Sequence, residues 1–93
     1  MIRHIVFMKF PEFSLTQEAK EKLLSMREHI EELVDIEVGI DFSRSERSFD
    51  LALVTTFKTK EDLEKYRIHP YHQEIVAWLK ANDTETKVVD YEI

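Results

Sequence analysis

Two stretches of this chain, residues 2–10 and 49–57, alternate with the period of two that a β-strand imposes, and both are apolar on both faces. In the first, Ile2, His4, Val6, Met8 and Phe10 share one face, while Arg3, Ile5, Phe7 and Lys9 share the other. In the second, Phe49, Leu51, Leu53, Thr55 and Phe57 alternate with Asp50, Ala52, Val54 and Thr56. A sheet with one face in water carries polar residues on that face. Strands like these require cover on both sides.

The segments between them supply only part of that cover. Pro11-Glu12-Phe13 breaks the first strand, and Ser14 followed by Gln17 has the form of a capping box. The spacing of Leu15, Ala19, Leu23, Met26, Ile30 and Leu33 predicts a helix reaching about Val34, with a charged outer face on which His29 is an ordinary polar residue. Ile36, Val38, Ile40 and Phe42 alternate with Glu37, Gly39, Asp41 and Ser43 as a second strand. Thr59 is placed to cap a helix over Lys60 to about Ile68, and Pro70 ends it and suits the first turn of another that closes near Asn82. Thr86 to Ile93 reads as a last strand, with Val88 on one face and Val89, Tyr91 and Ile93 on the other. The order β-α-β-β-α-β predicts an α+β, ferredoxin-like domain spanning residues 1–93, with a four-stranded antiparallel sheet and helices on one face. The helices cannot cover the second face, so a second copy of the chain packed sheet against sheet is the simplest cover.

Composition removes whole classes of function. Thirteen Lys and Arg against nineteen Asp and Glu leave a formal charge of −6. That balance opposes binding to nucleic acid or to an anionic membrane surface. Cysteine is absent, which excludes disulfides, thiolate metal sites and a thiol nucleophile. Gly39 is the only glycine, so no glycine-rich loop can cradle a phosphate. The N-terminus lacks the form of a signal peptide, and no apolar run approaches the ~20 residues of a membrane span. A cytoplasmic location is the expectation.

The chemistry concentrates in Tyr66-Arg-Ile-His69-Pro70-Tyr-His72, which sets two imidazoles and a phenol around one proline at a helix junction. An imidazole titrating near ~6.5 suits a general base, and a phenol can hold a developing enolate oxygen. The same groups also serve as plain packing: His72 can cap a helix start while Tyr66 anchors the helix before it. His69, at a helix C-terminus, reads as a cap that fixes the loop. His69 and His72 lie three apart across a helix break, and His4 stands on a distant strand, so no metal is expected. Arg3, Lys9, Asp90 and Glu92 read as strand-edge charges in weak ion pairs, and Trp78 as a core or interface anchor. Asp50 or Glu46 is able to pair with Arg44 or Arg47, with no further role assigned.

Taken together, His4-Ile-Val-Phe-Met-Lys9-Phe10, Phe57 ahead of Glu61-Asp-Leu-Glu-Lys-Tyr66, His69-Pro70-Tyr-His72 and Val89-Asp90-Tyr91-Glu92 resemble the stress-responsive dimeric α/β-barrel (Dabb) family along essentially the whole chain. The resemblance implies a monomer whose sheet packs on its partner's to form a dimeric α/β barrel. A plant relative is a polyketide cyclase that works by aldol condensation without metal or cofactor. Its base corresponds to His72, its hydroxyl partner to Tyr66, and a third cavity group to His4. The cavity walls are not carried over. Leu23 and Leu24 stand there in this chain, and His4 and Leu23 are expected to contact a ligand. Two readings follow: a homodimer that binds a small polar or carbonyl-bearing molecule between helices and sheet, or a cofactor-independent cyclase-like or lyase-like enzyme. A cofactor-independent oxygenase, as in related dimeric barrels, is a third.

Overall fold

The computed structural model describes residues 1–93. Strand β1 spans Ile2–Lys9, helix α1 Leu15–Leu24, β2 Asp35–Ile40, β3 Leu51–Phe57, α2 Lys60–Ile68, α3 Pro70–Ala81 and β4 Glu85–Glu92. The four strands form one antiparallel sheet in the order β2-β3-β1-β4. β1 and β3 are therefore the central pair, as their two-faced apolar pattern requires. None of the helices is long and apolar enough to cross a membrane.

Alternation along the central strands decides what each face meets. Ile2, His4, Val6 and Met8 of β1 and Leu51, Leu53, Thr55 and Phe57 of β3 are buried beneath the helices. Ala19, Leu23 and Met26 come down on them from α1 and the turn after it, joined by Leu63 and Tyr66 of α2 and Ile75 and Leu79 of α3. The opposite face has no such layer. Ile5 sits between Val54 and Val89 there, and Phe7 between Ala52 and Lys87. Phe7 stays 48% exposed and Val89 60%.

The local signals hold for the second half of the chain. The Thr59 hydroxyl accepts from the Asp62 N–H at 3.1 Å, capping α2. His69 serves two helices at once: its backbone N–H donates to the Tyr66 carbonyl, and its Nδ1 accepts from the Tyr71 N–H at 3.1 Å. Its extended backbone (φ −63°, ψ 131°) is the conformation a following proline enforces, and Pro70 opens α3.

The first half departs from expectation at several points. Helix α1 stops at Leu24, ten residues short of Val34, and continues as a 3₁₀ turn over Ser25–Glu28. Ser25 turns its hydroxyl back onto the Lys22 carbonyl at 2.6 Å, a local bond that competes with continued helix. The chain must then reverse to enter β2, and it docks through the Val34 N–H on the Thr56 carbonyl. The capping box does not form: Ser14 has helical dihedrals and caps nothing, and Gln17 bonds to Glu21 instead. Phe42 lies beyond β2 and is 93% exposed, and Phe49 lies ahead of β3.

The loop from 41 to 50 is tied down by Asp50, which is 2% exposed. Its carboxylate accepts from the Phe10 N–H at 2.8 Å and from the Arg44 guanidinium at 2.7 Å. Arg44 adopts a left-handed φ of 48° and lays its guanidinium on the Phe13 ring. Neither Glu46 nor Arg47 takes part in this pairing.

Candidate functional site

A cavity of about 270 Å³ lies between the helices and the sheet. Six elements and the α3–β4 turn wall it, and β1 supplies His4, Val6 and Met8, the inward residues of an alternating strand. Leu23 enters from α1 and Leu53 from β3. Helix α2 contributes Tyr66 in its last turn. Helix α3 contributes His72, Ile75, Val76, Leu79 and Lys80, at the spacing that puts residues on one face of a helix. His4, Leu23, Tyr66 and His72 thus border one space.

The aromatic groups cluster at one end of it. The Tyr66 ring is 4.2 Å from that of His72, 5.0 Å from Phe57 and 5.9 Å, edge to face, from His4, measured between centroids. Tyr66 and His72 meet ring against ring at 42°, and no hydrogen bond joins the phenol to the imidazole. The helix break creates this contact: Pro70 redirects the chain so that His72, in the first turn of α3, returns over the last turn of α2.

His72 Nδ1 lies 3.1 Å from the Arg67 carbonyl oxygen. A carbonyl only accepts, so Nδ1 carries the proton and Nε2 is left with its lone pair. Burial pulls the imidazole below its ordinary value of 6.5; the bond to Arg67 opposes this, and the charges of His4, Arg67 and His69 add to the lowering. Burial pushes the Tyr66 phenol well above its ordinary range, with a smaller opposite effect from Arg67. At neutral pH the pair is a neutral base beside a protonated phenol.

His4 is held from behind. Its Nδ1 donates to Asp90 Oδ1 on the neighbouring strand, and Asp90 Oδ2 accepts from Arg67 at 3.0 Å. His4 and Asp90 face each other directly in the β1–β4 register. Asp90 was read above as a strand-edge charge, and this orienting role was missed. The signal was available, because Asp90 shares the strand parity of Val88, opposite to Val89 and Tyr91. His29, read as bland, stacks on the Tyr71 ring at 4.1 Å outside the cavity. His, Asp and Glu side chains nowhere gather as a trio able to hold a metal ion.

A second depression, of about 430 Å³, lies around Phe7, Gly39, Phe42 and Phe49. Phe7, Gly39 and Ala52 place it on the uncovered side of the sheet, away from the imidazoles. Between the two, the helix-side cavity alone sets imidazoles and a phenol against an apolar interior.

A split β-α-β sheet with one bare apolar face and a His- and Tyr-lined cavity under its helices defines a class of ferredoxin-like α+β proteins. The chain belongs to the stress responsive A/B barrel domain family, whose model matches residues 2–93. Among solved structures, a dimeric ferredoxin-like protein of unknown function from Bacteroides fragilis superposes with a TM-score of 0.85 at 25% identity, over 99% of this chain and 95% of that one. A dimeric ferredoxin-like protein of unknown function from Thermobifida fusca gives 0.85 at 20% identity, over 99% and 90%. A hydroxynitrile lyase from Passiflora edulis gives 0.81 at 20% identity, over 99% and 92%. No curated protein matches the chain.

Proposed function

We propose that the protein is a homodimer that binds a small apolar molecule bearing a carbonyl or hydroxyl group in the cavity beneath its helices. One observation carries the binding reading: Tyr66, His72 and His4 meet at one end of a mostly apolar cavity. A ligand's apolar body would lie against Val6, Leu23, Leu53 and Ile75, and its oxygen would accept from the Tyr66 hydroxyl. The volume falls just under the ~300–1,000 Å³ of sites for drug-sized ligands, which suits a smaller molecule. The dimer is supported by the bare apolar face and by the dimeric state named for the Bacteroides and Thermobifida structures.

Calorimetric titration with methyl pentyl ketone tests the binding. The expected result is saturable binding to the native protein that weakens about fivefold in Tyr66→Phe, the loss of one hydrogen bond worth ~1 kcal/mol. No saturable binding, or equal affinity in Tyr66→Phe, would overturn the reading.

A second reading, cofactor-independent acid–base chemistry, is favoured by the tautomer of His72. With Nε2 bare and the phenol protonated, His72 would take a proton from the carbon beside a carbonyl while Tyr66 donates to the enolate oxygen that forms. Shared fold does not transfer an activity, so this reading rests on the cavity alone. It predicts that His72→Ala abolishes deuterium exchange at that carbon while leaving the fold intact. Undiminished exchange in folded His72→Ala would end it.

A further inference from the structure

The end of the cavity remote from the imidazoles has its own chemistry. Lys80, Thr84 and Thr86 stand there, beside Met8, which pairs with Thr86 across β1 and β4. Lys80 is exposed at the mouth and takes part in none of the chain's salt bridges, although Asp83 and Glu85 are close in sequence. Thr84 Oγ1 is buried and has no hydrogen-bond partner. A buried hydroxyl without a partner is costly, and one facing a cavity points to a group that fills it.

The two ends are a fixed distance apart. His72 and Lys80 lie eight residues apart on one face of α3, which sets their Cα atoms about 12 Å apart along the axis. Between them the lining is apolar: Val6, Leu23, Leu53, Ile75 and Leu79. The cavity is therefore polar at both ends and apolar in the middle, with its one full cation at the open end.

We propose that the ligand is an elongated monocarboxylic acid, its carboxylate held by Lys80 and Thr84 at the mouth and its carbonyl or hydroxyl end at Tyr66 and His72. This rests on the binding reading above and adds the charge, polarity and length of the molecule. The chain as a whole carries −6 and repels an acid, so the unpaired Lys80 is what admits one.

The test uses ω-hydroxydecanoate and decanediol, which have the same chain length and differ in the charge at one end. Titration calorimetry should give the acid an advantage of about fivefold at low salt, the upper end of about 1 kcal/mol for an exposed ion pair. That advantage should fall as salt is added and vanish in Lys80→Gln, a surface change that leaves the fold alone. Methyl and amide shifts should map the acid to Ile75, Leu79 and Thr84. Equal or tighter binding of the diol, or an advantage that survives Lys80→Gln, overturns the acid and leaves cavity binding standing. Binding of neither probe, or shifts confined to Ile5 and Phe7 on the open face, overturns both.

Discussion

His72 is held by a carbonyl on one nitrogen and burial around the rest, and both facts are measurable through pH. Its folded value is depressed below the ~6.5 of an unfolded chain. The unfolded state therefore binds the proton first as pH falls. Stability is full above 6.5 and is lost as pH drops from there toward the folded value. Tm curves of the native protein and His72→Gln should keep a constant offset between pH 8 and 7 and depart from it below 6.5, where the native protein loses more. Parallel curves would show that His72 is not buried as described. Asp90 is the second residue-scale case. Asp90→Ala removes the acceptor of both His4 and Arg67 and should cost about 1 kcal/mol by urea denaturation, kept small by the exposure of Arg67. The Tyr-His cluster was legible because Pro70 marks the break that folds the two residues together. Asp90 was legible only through strand parity. Lys80 and Thr84 were not legible, because nothing in a helix's C-terminal turn says whether its Lys reaches a cavity.

At the scale of elements, strands were readable and the end of α1 was not. A strand's period of two declares which residues go inward, and β1 and β3 obey it at nearly every position. The 3.6-residue pattern ran on to Leu33 because Met26 and Ile30 are buried whether or not the backbone is helical. Burial constrains position, and hydrogen bonding sets conformation. Ser25 settled the matter through a bond that periodicity does not encode. The loop to β3 shows the same limit, since Asp50, a charged residue in a strand-like run, turns out to be buried between Arg44 and the Phe10 amide. Asp50→Ala should lower stability by about 2 kcal/mol, less than the cost of breaking a fully buried pair because Arg44 remains partly in water. Urea denaturation reads this directly. A loss within ~0.5 kcal/mol would place Asp50 among ordinary surface residues.

At the scale of the molecule, the bare face and the cavity lie on opposite sides of one sheet. Ile5, Val54 and Val89 line up across the bare side, on three adjacent strands. A lysine in the middle of a sheet-on-sheet interface would bury an unpaired charge at a cost of several kcal/mol. Light scattering should therefore find a dimer for the native protein and a monomer, or unfolded chain, for Val54→Lys. A native monomer at micromolar concentration would remove the dimer. What the protein does turns on the cavity. Its most direct test is chemical-shift mapping of the native protein during titration with methyl pentyl ketone. Saturating shifts at His4, Leu23, Tyr66 and His72, with Ile5 and Phe7 unmoved, are the predicted result. Shifts confined to the open sheet face, or none at all, would contradict it.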